Sequence, residues 1–186
     1  MLLVLLNYWP NTWNSKKPDK RIRHARLKAM TILVVMILAP AADADGIDLH
    51  WLWDDRCNEC HGHAGQFSRQ FLSVTNGQLQ GRHHVRDLRR FMQNHYLIDS
   101  EVDAVYNMLL AQANTPARFK LECSSCHDNA ARFVRQSLEL RDGLLYSRQS
   151  NQPARLFLNH HRALEPDEVE FYIKLLTRVA HEVYRP

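Results

Sequence analysis

The sequence of 186 residues repeats itself at an offset of 66 positions, and this repetition constrains the fold more than any other feature. A five-residue pattern, Cys-x-x-Cys-His, occurs at Cys57–His61 and again at Cys123–His127. The match continues without a gap through apolar and charged positions alike. Such a register indicates tandem duplication, so we predict two copies of one small domain. Identical pairs include Phe67 and Phe133, Arg69 and Arg135, Gly77 and Gly143, His95 and His161, and Tyr106 and Tyr172.

The hydrophobic spacing after each motif is that of helices. Phe67 and Phe71 lie one helical turn apart, and Asn76-Gly77 and Asp142-Gly143 are interpreted as helix ends. No run alternates long enough to predict a strand. We therefore predict an all-α fold of two tandem small helical domains, the first over residues 45–111 and the second over residues 112–186.

The N-terminal region has the order of a secretory signal. Basic residues precede an apolar run over residues 29–39, and small residues follow. We predict a signal peptide over residues 1–44, cleaved after Ala44, and hence a periplasmic protein. The alternative is an uncleaved anchor, although the run is shorter than the roughly 20 residues of a spanning helix. Residues 1–44 hold 7 of the 24 Lys and Arg but only 2 of the 20 Asp and Glu, so the remainder has a net charge of −1. Nothing in that remainder indicates a nucleic-acid partner or a membrane association.

The pattern Cys-x-x-Cys-His is typical of covalent c-type haem attachment. Its two thiols add to the porphyrin, and the adjacent histidine binds the iron. We therefore predict two haem c groups, held by Cys57, Cys60, Cys123 and Cys126, with His61 and His127 as proximal iron ligands. Three alternatives are a zinc site, a thioredoxin-like redox pair and plain disulfides, which explain the two following histidines less well.

The second axial ligand of each iron follows from the repeat. Among the remaining histidines and methionines, only His95 and His161 match across the copies, each 34 positions beyond its proximal partner. We predict that these two are the distal ligands, on the face of a helix. Met92 is the alternative at the first haem and His160 at the second. The arginines shared by the copies are candidate partners of haem propionates, or residues of a solvated helix face: Arg69, Arg82, Arg89, Arg135, Arg148 and Arg155.

The two motifs, together with the pattern from Leu164 to Val169 and Tyr172, make the chain resemble the class I cytochrome c family. Within it, the resemblance is to bacterial di-haem cytochromes c built from two such domains, and it covers nearly all of the chain beyond residue 44. The resemblance implies one helical domain around each haem. In much of that family a methionine is the distal ligand, whereas this sequence offers His95 and His161, which implies bis-histidine haems of lower potential.

An iron with two protein ligands has no open position for a substrate. We therefore predict an electron-transfer protein rather than an enzyme, exchanging electrons with redox-partner proteins such as other cytochromes or a membrane oxidoreductase complex. The alternatives are a small peroxidase-like di-haem enzyme and a haem-based gas sensor. Either of these requires one open iron site.

Overall fold

A computed structural model describes residues 46–81 and 87–185. The predicted signal peptide over residues 1–44 lies outside the described residues, as do Arg82, His83 and His84. The described residues belong to one unit, Ala44–Pro186. None of the helices they form is long and apolar enough to cross a membrane.

The first half, residues 46–111, begins with a capped helix. The carboxylate of Asp48 accepts hydrogen bonds from the backbone N–H groups of His50 and Trp51, which is the standard way to satisfy a helix N-terminus. The motif follows at once on a short helix of its own. In chain order the elements are α1 (Leu49–Arg56), α2 (Asn58–His61), α3 (Ala64–Phe71), β1 (Leu72–Thr75), β2 (Gln78–Gly81), α4 (Leu88–Gln93) and α5 (Asp99–Ala113), the last ending just inside the second half.

The second half, residues 112–185, has the same elements in the same order. Each begins or ends within a few residues of its counterpart at the offset of 66 positions. In chain order they are α6 (Arg118–Glu122), α7 (Ser124–His127), α8 (Ala130–Ser137), β3 (Leu138–Arg141), β4 (Leu144–Ser147), α9 (Ala154–Leu158) and α10 (Pro166–Val183).

The prediction of an all-α fold is wrong, because each half contains a two-stranded antiparallel hairpin. In β1–β2, Thr75 pairs with Gln78, and Asn76-Gly77 form the two-residue loop; Arg141 pairs with Leu144 around Asp142-Gly143 in β3–β4. All four loop residues have positive φ, from 49° to 76°, as a type I′ turn requires. Asn-Gly and Asp-Gly therefore close hairpins here and do not end helices. The fold is mixed, with mostly helical residues and two small sheets.

Each half has its own hydrophobic core. The first core is built around Trp53, Val105 and Met108, and the second around Phe119, Val134 and Val169. The hairpins contribute one buried leucine from each strand, so their inner faces close the cores. Each half thus buries its own apolar surface, which accounts for most of its stability.

Polar contacts between residues far apart in the sequence join the halves. The guanidinium of Arg135 donates to both carboxylate oxygens of Asp48, at 2.6 and 3.0 Å. The ring of His50 lies 2.8 Å from a carboxylate oxygen of Glu182 on α10. Helix α1 of the first half therefore lies against the second half.

Candidate functional site

The two Cys-x-x-Cys-His motifs have the same local structure. In each, the first cysteine ends the preceding helix, and a single turn of helix carries the second cysteine and the histidine. Backbone N–H groups of both His61 and His127 donate to the carbonyl of the first cysteine, at 2.9 and 3.0 Å. One helical turn therefore holds two thiols and an imidazole together in both halves. All four cysteines carry free thiols, with Cys60 and Cys126 exposed.

Each motif histidine faces the histidine that the repeat analysis selected. The ring centroids of His61 and His95 are 5.9 Å apart, and those of His127 and His161 are also 5.9 Å apart. Bonds of about 2 Å between an imidazole nitrogen and a metal ion, one on each side of the ion, place two ring centroids about 6 Å apart. The spacing in both halves therefore fits one metal ion between each pair.

A phenylalanine stacks on each distal histidine. The rings of Phe91 and His95 have centroids 4.7 Å apart at 27°, and those of Phe157 and His161 lie 4.6 Å apart at 29°. On the other side, Phe67 and Phe133 contact the motif histidines with centroids 4.7 and 4.5 Å apart. Phe91 and Phe157 match each other at the offset of 66 and have the spacing of a shared helical face with the histidines, but the sequence did not indicate that their rings stack on the imidazoles.

Each histidine pair lines a cavity. The cavity of the second half has a volume of about 370 Å³, and its lining includes Cys123 and Cys126 together with Phe133 and Phe157. The cavity of the first half is smaller, about 80 Å³, and its lining includes Cys57 and Trp53. The two histidine pairs therefore line two separate cavities, one in each half. Among the described residues, no group of three or more histidine, cysteine or acidic side chains is placed to hold a metal ion.

Burial favours the uncharged form of the histidine and of the first cysteine in each motif. It lowers the pKa of His61 and of His127, and the charge of the facing histidine lowers each further. Burial likewise raises the pKa of the thiols of Cys57 and Cys123. A neutral imidazole has a free lone pair and is the form that binds a metal ion.

The distal histidines do not lie on helices as predicted. Helix α4 ends at Gln93 and α9 ends at Leu158, so His95 and His161 lie in the turns that follow. The turn is compact, since the backbone N–H of each histidine donates to the carbonyl three residues earlier, at 3.0 and 3.1 Å. Helical spacing and this tight turn bring a residue four positions after the phenylalanine to similar places. The selection of His95 and His161 rested on the repeat and did not depend on a helix there.

The alternative ligands are placed differently. Met92 is buried in the first core and also lines the first cavity, where its counterpart in the second half is Leu158. His160 is exposed and is not among the residues that line the second cavity. The arrangement that occurs in both halves is therefore the pair of histidines.

None of the five described arginines proposed as propionate partners lines either histidine-paired cavity. Arg135 binds Asp48, and Arg89 binds Asp103 at 2.7 Å with its guanidinium 3.5 Å from the centre of the Tyr106 ring. Two more bind nearby groups: Arg155 binds Glu170, and Arg148 donates to the carbonyl of Leu138. Arg69 lines the space between the halves. The arginine in the lining of the second cavity is Arg162, which has no arginine at its matched position and was therefore missed.

The second cavity has a polar edge that the first lacks. Hydrogen bonds from Arg118, at 2.6 and 3.0 Å, and from the hydroxyl of Tyr172, at 2.5 Å, lower the pKa of Glu122 to about 2. Burial and the bond to Glu122 raise the pKa of Tyr172. In the first half the positions that match Glu122 and Tyr172 hold Arg56 and Tyr106, and neither lines the first cavity.

The residues present fit covalently attached haem in both halves. Each half offers two thiols, one of which is exposed, and a neutral imidazole next to them. A second imidazole lies at the distance expected for two ligands of one ion. Apolar and aromatic side chains form most of the surrounding wall. Comparison with protein-family models, with curated proteins and with solved structures yields no match to this chain.

Proposed function

We propose that this chain is an electron-transfer protein that carries two covalently attached haems, one in each half, with two histidines at each iron. The observation that carries the proposal is the pairing of His61 with His95 and of His127 with His161, both with ring centroids 5.9 Å apart. Because the halves are copies of one sequence, a contact within one half is expected to recur in the other. The support for a shared ligand is the spacing itself, which matches two imidazoles that bind one metal ion from opposite sides.

Each residue of the arrangement has a stated task in this proposal. Cys57 and Cys60, or Cys123 and Cys126, attach the porphyrin. The motif histidine and the distal histidine would be the two protein ligands of the iron. Haem iron, when bound, cycles between the ferric and ferrous states and so accepts and releases one electron.

The surrounding side chains limit what else can happen at the site. Phe91 and Phe157 stack on the distal imidazoles and restrict their rotation. If both histidines of a pair bound the iron, no coordination position would remain for oxygen or peroxide. A carrier fits this arrangement better than a peroxidase-like enzyme or a gas sensor.

The proposal extends to location and partners. Covalent haem attachment and the N-terminal basic and apolar segments together support a periplasmic protein that exchanges electrons with other redox proteins. The resemblance to class I cytochromes c supports the same function through the two motifs. It does not extend to an all-helical architecture, because each half contains a hairpin.

The test begins with the purified holoprotein. We expect two haems per chain that remain attached after denaturation, and a dithionite-reduced visible spectrum that carbon monoxide does not change. Loss of haem on denaturation would contradict covalent attachment. A shift with carbon monoxide would show an open iron and favour the enzyme or sensor.

Single substitutions then assign the ligands. We expect His95→Ala and His161→Ala each to open one iron, so that each variant binds one equivalent of carbon monoxide. The matched controls are Met92→Leu and His160→Ala, which we expect to leave the spectrum unchanged. If the controls open an iron and the histidine variants do not, the ligand assignment is wrong.

A further inference from the structure

The residue directly after the motif histidine is held differently in the two halves. In the first half, the carbonyl of Gly62 accepts a hydrogen bond from the indole N–H of Trp53, at 2.8 Å. Trp53 belongs to α1, is buried and lines the first cavity. Helix α1 is therefore fastened to the backbone one residue beyond His61.

The backbone conformation of Gly62 makes this bond possible. Gly62 lies between α2 and α3, with a φ of 65° and a ψ of −163°, a combination that is essentially restricted to glycine. Its own N–H donates to the carbonyl of Asn58 at 2.9 Å. The direction of the Gly62 carbonyl toward Trp53 thus depends on a conformation that other residues adopt only under strain.

The second half is built differently at both positions. Phe119 matches Trp53 at the offset of 66, and its ring has no N–H to donate. Asp128 matches Gly62, with a ψ of −88°, and its carboxylate binds Arg132 on α8 in an exposed pair at 2.7 Å. The residue after the second motif is therefore bonded to the helix that follows the motif, whereas Gly62 is bonded to the helix that precedes it.

The aromatic packing around the motif histidine is similar in the two halves. The ring centroid of Trp53 lies 5.4 Å from that of Phe67 and 6.1 Å from that of His61. The rings of Phe119 and Phe133 keep the corresponding contact in the second half, with centroids 6.1 Å apart. The main difference between the two sites is therefore the hydrogen bond of the indole, and not the presence of a ring.

A histidine that binds a metal ion is oriented by the groups around it, and these outer contacts also tune the metal. We propose that Trp53 is a positioning residue for His61 and acts through its hydrogen bond to Gly62, which fixes the peptide unit that follows the imidazole. This inference rests on the proposed haem function. It implies that the two irons are not equivalent, because Phe119 offers the second motif no such bond.

Electron paramagnetic resonance of the ferric holoprotein tests the proposal. The g values of a low-spin ferric haem depend on how its two axial imidazoles are oriented. His95→Ala and His161→Ala assign the signals, since each variant removes the low-spin signal of one haem. We expect Trp53→Phe, which copies the second half, to shift the largest g value of the first haem and to leave that of the second haem unchanged.

A second variant breaks the same hydrogen bond from the other side and guards against a poorly packed Trp53→Phe protein. Gly62→Ala keeps the indole, and the added Cβ has no atom within 4 Å, so its effect comes from the backbone alone. We expect it to shift the same g value. The controls are Trp51→Phe, an exposed residue of the same helix, and Gly77→Ala, a hairpin glycine with a φ of 73°. We expect neither control to shift the signal.

The outcomes distinguish this inference from the proposed function. A wild-type protein without two low-spin signals would contradict the haem assignment, and the inference would fall with it. If both signals are present but Trp53→Phe or Gly62→Ala leaves the first unchanged, the positioning role is overturned and the haem assignment stands. An equal shift at the second haem, or an equal shift in either control, would also overturn the positioning role.

Discussion

The salt bridge between Asp48 and Arg135 joins the two halves, and we expect its removal to destabilise the protein measurably. The pair has two hydrogen bonds, at 2.6 and 3.0 Å, and its side chains are 22% and 31% exposed. Exposed ion pairs contribute about 0–1 kcal/mol, whereas breaking a fully buried pair costs about 3–5 kcal/mol. For this intermediate burial we expect Arg135→Gln and Asp48→Asn each to cost about 1–2 kcal/mol.

Asp48 also caps a helix, and comparing Asp48→Asn with Asp48→Ala separates this role from the salt bridge. Its carboxylate also caps helix α1. Asparagine caps a helix about as well as aspartate, but alanine does not, so Asp48→Ala should cost about 1 kcal/mol more than Asp48→Asn. Arg155→Gln, which breaks an exposed pair with Glu170, is the control, and we expect it to cost less than about 0.5 kcal/mol.

The assay is urea unfolding of the wild type, the two single variants Asp48→Asn and Arg135→Gln, and the double variant. A double-mutant cycle at neutral pH should give a coupling energy of about 1–2 kcal/mol. A coupling energy as small as that of an exposed pair would refute the reasoning.

The pH dependence of the coupling energy between Asp48 and Arg135 is an independent test. Burial raises the pKa of Asp48, but the hydrogen bonds from Arg135 and the backbone of Trp51 more than reverse this, so the pKa lies below its ordinary 3.8. A lowered carboxyl pKa stabilises the fold above the ordinary value, and this stabilisation is lost as the pH falls through the folded-state pKa. The coupling should therefore shrink below about pH 3.8, and a coupling that stays constant there would contradict the assignment.

Three further outcomes are expected. Arg56→Leu should lower the free energy of unfolding in urea by about 3 kcal/mol, because the carboxylate of Glu101 loses the guanidinium that lies 3.0 Å from it and is only 3% exposed. An unchanged unfolding midpoint would show that Glu101 does not depend on Arg56. Gly77→Ala should lower the free energy of unfolding by about 1 kcal/mol in the same assay, because a residue with a Cβ is strained at the φ of 73° found there. An unchanged free energy of unfolding would mean that the turn rearranges. If the second half carries a haem as proposed, Phe157→Leu should alter its low-spin ferric electron paramagnetic resonance signal, since the stacking of Phe157 on His161 is lost. An identical signal would show that the stacking does not orient the ring.

The sequence was sufficient to predict which cysteine and histidine side chains lie together in each half, because that arrangement is encoded locally and twice. Cys57 to His61 need only one helical turn to bring two thiols and an imidazole together. The second copy then reduces the candidates for the distal position to His95 and His161, without any knowledge of the fold. The same repeat identified corresponding helices, although not where each one ends.

The hairpins show where local patterns were misleading. Each strand has only four residues, too few for alternation to be recognised, and Asn76-Gly77 suits the end of a helix as well as a type I′ turn. The choice between them depends on whether the following residues pack as a strand, and Leu79 is buried in the first core. Tertiary packing therefore decided the fold class.

The differences between the halves also required the folded chain. Arg69 and Arg135 are identical in the repeat, yet one lines a cavity and the other binds Asp48 from the opposite half. Which partner an arginine meets depends on residues far away in the sequence. A repeat determines what each half can form alone, whereas the contacts between the halves depend on how the two copies are arranged, which no local pattern encodes.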